Sequence, residues 1–151
     1  MIYYVCKYAP VELFNGFGQE CAVLEEMPEN FDKSDKIAHA NLCGFGKSVI
    51  QAVLEGKVEE LVLVNCCDSM RRVYDIIENT GKCRFLYMLD LPHEDNECEN
   101  IKFAQSILRL KKAYERYSQR KFDRELFIKS FTQPQQERKP YIGLLGVHVS
   151  S

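Results

Sequence analysis

The segment Glu60-Leu61-Val62-Leu63-Val64-Asn65-Cys66-Cys67-Asp68-Ser69-Met70-Arg71-Arg72-Val73-Tyr74-Asp75 decides how this chain folds. Leu61–Val64 is an uninterrupted apolar run, short and branched enough to read as a strand buried on both faces. Polarity changes abruptly at Asn65. Asp68 and Ser69 then offer N-cap oxygens to a helix whose apolar positions Met70, Val73 and Ile77 recur at helical spacing. A buried strand therefore ends in a double cysteine and a helix begins at once. In an open parallel sheet, ligands bind beyond the carboxyl ends of the strands. A cysteine at a helix N-terminus also faces unpaired amides and the positive end of the helix dipole, which favour the thiolate, the metal-binding form. Cys67 thus has the position and chemistry of an active group. The competing reading is that both cysteines are small packed hydrophobes, the commoner fate of a free cysteine.

Upstream, Ile2–Val5 reads as a short strand, Pro10 as a first-turn residue of a helix ended by Gly16 or Gly18, and Cys21–Leu24 as a second strand. Pro28 to Asp35 is a loop. Phe45, Val49, Ala52 and Val53 carry a helical period closed by Gly56. Downstream, the helix after Cys67 ends near Gly81 and Cys83–Leu89 is the next strand. A loop at Leu91-Pro92-His93 leads to a long helix with Ile101, Ala104, Ile107, Leu108, Leu110, Tyr114 and Tyr117 on one side. Asp123 caps a last helix carrying Leu126, Phe127 and Phe131. Strands alternating with helices imply βαβ units: the fold class is α/β, a Rossmann-like three-layer domain with a mostly parallel sheet, and Leu61–Val64 near its centre.

A length of 151 residues suits one domain, and 46% hydrophobic with 28% charged residues supports a packed core rather than disorder. A net charge of −2 gives no electrostatic attraction to nucleic acid or an anionic membrane. No apolar stretch reaches membrane-spanning length, and Met1–Cys6 is too short for a secretory core, so a cytoplasmic protein is expected. The seven cysteines are odd in number and irregular in spacing, which argues against a disulfide framework. No Cys-x-x-Cys pair exists, so any cysteine-bound metal must draw its ligands from separate turns.

Cys43-Gly44-Phe45-Gly46-Lys47-Ser48 resembles a phosphate-binding loop, but Asn41 stands where that pattern needs its first glycine, and no strand precedes it. The dinucleotide pattern fails too, since Val49 occupies the third glycine position. What remains is Cys43 at a helix start, flanked by glycines that let a bulky ligand approach the backbone, which is the setting of Cys67 again. The three histidines share no metal-triad spacing. Arg71 and Arg72 are either partners for an anionic ligand or cluster, or a solvated basic pair. Glu12 is either a first-turn dipole partner or a polar group aimed at the site. A nucleophilic Cys67 would need a base, which no segment nominates.

With these motifs placed, the chain resembles the 2-hydroxyacyl-CoA dehydratase family, the D-component family that includes subunits of 2-hydroxyglutaryl-CoA dehydratase and benzoyl-CoA reductase. The resemblance rests on Lys7-Tyr8-Ala9-Pro10-Val11-Glu12-Leu13 with Gly18, on Leu42-Cys43-Gly44-Phe45-Gly46-Lys47, on Cys66 through Asp75, and on Phe85 through Pro92, in that order. It implies a [4Fe–4S] cluster, or a double-cubane cluster, held by cysteines of two Rossmann-like domains. It also implies an ATP-hydrolysing activator that delivers single electrons, and an acyl-CoA substrate that is dehydrated or reduced by radical chemistry. Cys43 and Cys67 would be cluster ligands, with Glu12, Asp68, Arg71 and Arg72 lining the cleft. Cys66 is expected to turn to the opposite side, into the core, and Cys6, Cys21, Cys83 and Cys98 to stay away from the pair.

The family's next cluster cysteine lies in a following domain. Residues 1–138 are therefore expected to form an N-terminal cluster-binding domain. Residues 139–151 would be a linker and first strand (Tyr141–Val149) of a second domain that this chain lacks. Such a chain would bind a cluster poorly or not at all, be inactive alone, and pair as a dimer through its exposed strand. The alternatives are a double-cubane-type reductase of small molecules and a cluster-free scaffold or interaction domain on the same fold.

Overall fold

The computed structural model describes residues 1–25 and 27–132. At its centre is the apolar run with its double cysteine. Glu60–Val64 is strand β3, and Leu61, Val62, Leu63 and Val64 are each fully buried. That burial on both faces follows from its neighbours. β1 (Ile2–Tyr4), β2 (Cys21–Val23) and β4 (Phe85–Leu89) complete a sheet of order β2-β1-β3-β4 in which every pairing is parallel. Tyr4 lies opposite Val62, and Val64 opposite Leu89, so the strands end close together at one edge.

The pleat sends alternate residues of β3 into two cores. Leu61 and Leu63 pack with Val49, Ile50, Val53, Met70, Val73 and Ile77, from α2 (Gly44–Leu54) and α3 (Asp68–Thr80). Val62 faces the other way, toward Leu13 and Phe14 of α1 (Val11–Asn15) and Leu110 and Tyr114 of α4 (Glu97–Ser118). The second core is aromatic: Tyr114 meets the rings of Phe14, Phe17 and Phe85 edge-on, with centroids 5.1–5.2 Å apart. Helices on both faces of a parallel sheet make three layers, the expected Rossmann-like α/β architecture.

Local chemistry sets the element ends. Gly81 closes α3 with φ +61°, a left-handed conformation that costs a Cβ-bearing residue energy. Asp123 caps α5 (Arg124–Ser130) by accepting from the amides of Glu125 and Leu126, as its position foretold. Between β2 and α2, a single 3-10 turn (Ser34–Lys36) is tied down by the buried Gln51, whose Oε1 accepts from the amides of Lys33 and Ser34.

The long helix departs from its expected face. Ile101, Ala104 and Leu108 are exposed, and the packed stripe is Ser106, Leu110 and Tyr114, buried, flanked by the half-buried Phe103, Ile107 and Tyr117. Two apolar stripes run side by side in the sequence, and the sheet covers only one of them. On α5 and at its C-cap, Leu126 and Phe131 are likewise exposed, whereas the Phe127 ring packs at a tilt against Phe122. The Tyr141–Val149 strand and the boundary at residue 138 lie outside the described residues.

Candidate functional site at the carboxyl edge of the sheet

The chain leaves β1 toward β2 on one side and leaves β3 toward β4 on the other, so the strand order reverses between β1 and β3. In open α/β sheets that switch point is where a ligand-binding crevice opens. Two residues beyond the end of β1 stands Cys6. Two residues beyond the end of β3 stands Cys66, followed by Cys67.

Cys67 is the N-cap residue of α3, with extended backbone (φ −162°, ψ 164°), and its carbonyl accepts from the Met70 amide at 3.1 Å. Its thiol makes no capping bond and is exposed. Cys43 is the N-cap residue of α2, and here the sulfur does cap, accepting from the Gly46 amide at 3.4 Å. Cys43 is exposed as well. Helix α2 feeds the amino end of β3, so its own start lies back at the carboxyl edge, as the start of α3 does. The first turn of α2 lies against the second turn of α3: a Cβ on Gly46 would come within 3.0 Å of Val73 Cγ2 and 3.3 Å of Leu42 Cγ. Gly46 is what lets the Cys43 turn lie against the helix that Cys67 begins.

Cys66 corrects the sequence reading. Strand β3 ends at Val64, so the alternation that would have turned Cys66 into the core has already stopped, and the residue is exposed. Its sulfur is nonetheless partly desolvated. Burial, then the adjacent Cys67 thiol and a hydrogen bond between the two, then Cys6, push the Cys66 thiol up to about 11. Cys6 therefore sits within electrostatic reach of the double cysteine. The spacing of strand end plus two, on two strands that the sheet makes neighbours, is the signal that would have found it. Cys98, expected on a loop, lies in the first turn of α4 and is exposed. Cys21 and Cys83 are half-buried, and burial raises them to about 12 and about 11, so both are held as thiols.

Of the other expected residues, Arg71 is the one fixed at this edge. Its Nε donates to Asn65 Oδ1 at 2.6 Å, its Nη1 lies 3.6 Å from Asp68 Oδ1, and Asn65 Nδ2 in turn donates to Asp90 Oδ1 at 2.9 Å. This chain of contacts ties the ends of β3 and β4 to the first turn of α3. Asp68 is otherwise open to solvent, its side chain 95% exposed. Arg72 is exposed and has no ion pair or side-chain hydrogen bond among the described residues. Glu12 sits over the β1–β2 side of the sheet, where its charge acts on Tyr4 and Cys21.

The sequence profile of the 2-hydroxyglutaryl-CoA dehydratase D-component family matches residues 6–144. The chain belongs to that family. The matched span begins at Cys6 and takes in Cys43, Cys66, Cys67 and the Arg71–Asn65–Asp90 chain, so every group described at this edge is part of the D-component match. Among the curated proteins, none matches the chain. No helix of the described residues is long and apolar enough to cross a membrane. Whether the D-component's residues here fit a metal cluster is a question of donor number. Among the described residues no group of three or more His, Cys, Asp or Glu side chains is arranged to hold a metal ion. Two exposed cysteines on adjoining helix starts suit two ligands of a cluster completed from elsewhere, and do not make a full set.

Proposed function

We propose that this chain is the cluster-bearing N-terminal part of an iron–sulfur 2-hydroxyacyl-CoA dehydratase-like protein, with Cys43 and Cys67 as its two cluster ligands. One observation carries the reading. Cys43 and Cys67 are both N-cap residues of adjacent helices at the carboxyl edge of the sheet, and Gly46, in the first turn of α2, lets that turn lie close against Val73 in the second turn of α3. The Cys43 sulfur accepts from the Gly46 amide, the Cys67 thiol is exposed at the start of α3, and the positive end of a helix dipole offsets the negative charge of thiolate and sulfide. A [4Fe–4S] or double-cubane cluster bound there supplies one-electron reduction at low potential. The residues of this chain do the holding. Cys43 and Cys67 would ligate, the Gly44–Gly46 turn lets a bulky group approach the backbone, and Arg71, anchored on Asn65, fixes a cation in the first turn of the helix that Cys67 begins. An ATP-hydrolysing activator would dock over this edge to deliver the electron, and the acyl-CoA substrate would occupy a cavity that a further domain completes.

The test is anaerobic reconstitution with ferrous iron and sulfide. The wild-type chain should take up iron and sulfide and show the broad visible absorbance of thiolate-bound iron. Cys43→Ser and Cys67→Ser should each lose most of it, while Cys98→Ser keeps it. Uptake that survives both single substitutions removes the ligand assignment and leaves a cluster-free scaffold of the same fold.

A further inference from the structure

Next to the β3–β4 end of the same edge, an open cleft of about 310 Å³ lies between the segment after β4 and one face of α4. None of the cysteines lines it, and it shares only Asp90 with the Arg71–Asn65–Asp90 chain. Leu91 and Phe103 give it apolar walls, and Lys102, Ser106 and Arg109, at helical spacing on α4, give it a polar stripe. The charged groups facing it are Asp90, Glu99, Lys102 and Arg109, with His93 at the rim. Most of these are already matched. Lys102 Nζ lies 2.8 Å from Glu99 Oε1, the other Glu99 oxygen accepts from the His93 amide at 3.4 Å, and Asp90 accepts from Asn65.

Arg109 is the exception. Its Nη2 donates to Ser106 Oγ at 2.7 Å and its charge acts on the Tyr87 hydroxyl, but no carboxylate pairs with it among the described residues. A guanidinium has five donor hydrogens, so most of its fork stays open to the cleft. Ser106 is 4% exposed, and its hydroxyl, accepting from Arg109, donates to no acceptor among the described residues. The cleft thus holds one unmatched cation and one buried hydroxyl beside an apolar wall. With Asp90 and Glu99 close by, a dianion such as phosphate would be repelled more strongly than a monoanion. The planar fork matches a carboxylate bidentately.

We propose that this cleft binds a small organic monocarboxylate, whose carboxylate takes the Arg109 guanidinium and the Ser106 hydroxyl while its carbon chain lies on Leu91 and Phe103. The inference is independent of iron binding, since it uses none of the cysteines.

The probe is butyrate, followed by amide chemical shifts of the full chain, with butyramide and inorganic phosphate as comparison ligands. Butyrate should give saturable shifts confined to residues 90–93 and 99–109, and butyramide, of the same shape but uncharged, should bind about tenfold or more weakly. Arg109→Gln should weaken butyrate by a similar factor, and Lys111→Gln, whose ammonium sits over the Phe122 ring instead, should not. Shifts that do not saturate, butyramide binding as well as butyrate, or an unchanged affinity in a folded Arg109→Gln chain would overturn the site. Phosphate binding more tightly than butyrate would overturn its assignment to a monocarboxylate. The butyramide comparison is made on the wild-type chain, so it tests the site even where the Arg109→Gln chain does not fold.

Discussion

Gly44 and Gly46 stand two positions apart at the start of α2 and do opposite things. Nothing lies within 4 Å of a Cβ built on Gly44, whereas one on Gly46 meets Val73 and Leu42 at 3.0 and 3.3 Å. Val73 is fully buried and β-branched, so it has little room to rotate away. Gly46→Ala should therefore destabilise the fold by about 1 kcal/mol, the overpacking cost outweighing the gain in helix propensity. Gly44→Ala should be neutral or stabilising by about 0.5 kcal/mol, because only the propensity gain remains. Urea denaturation of the pair reads this directly, and equal effects would show that the two helix starts are not in contact through Gly46. If they are, the strain of Gly46→Ala also pushes the Cys43 turn away from α3, and iron uptake should fall along with stability.

Strand β3 is the element on which both cores depend. Leu63 is fully buried in one of them and sits one residue before Val64, where the strand hands over to the cysteine turn. Leu63→Ala leaves a cavity between the sheet and the α2–α3 layer and should cost about 2–5 kcal/mol. That loss is expected to appear in thermal unfolding as a single lowered transition, since alternate residues of one strand join the two layers. A variant that lost only part of the structure in a separate early transition would mean that the layers fold independently. The sequence made β3 and α3 legible because an unbroken apolar run and a 3.6-residue period are strong signals. It misread α4 because Ile101 and Leu108 share a helical period with residues that are buried, and periodicity alone does not say which stripe meets the sheet.

At the scale of the whole molecule, alkaline pH gathers several buried groups into one effect. Burial raises Cys21 to about 12 and Cys83 to about 11 from an ordinary 9.0, and raises Tyr114 and Tyr117 to about 12 from 10.0, with Tyr117 further favoured as a neutral donor to Glu60. In each case the folded state holds its proton where the unfolded chain releases it. The stability these groups give is therefore fully present below pH 9 and is lost as the pH rises through 9 toward about 12. The melting temperature should fall steeply over that window, and Cys83→Ala should flatten the first part of the decline. A melting temperature constant from about pH 8 to about pH 11 would contradict the burial of these side chains.

The amino-acid sequence by itself determined the α/β class, the central strand at Leu61–Val64, a helix start at Cys43 and another just after Cys66, and the family, because each rests on a local pattern or a motif in linear order; the cap itself fell on Cys67 rather than on Asp68 or Ser69. Only the tertiary structure decided that Cys66 is exposed and felt by Cys6, that Arg71 reaches Asp90 through Asn65, and that Arg109 is left without a carboxylate among the described residues. Those facts depend on which strands are neighbours and on where a strand stops. Cys6 and Cys66 are 60 positions apart in the chain and come within electrostatic reach because β1 and β3 pair in parallel and both end at one edge. Strand adjacency is a property of the closed sheet, and no local period along the chain encodes it.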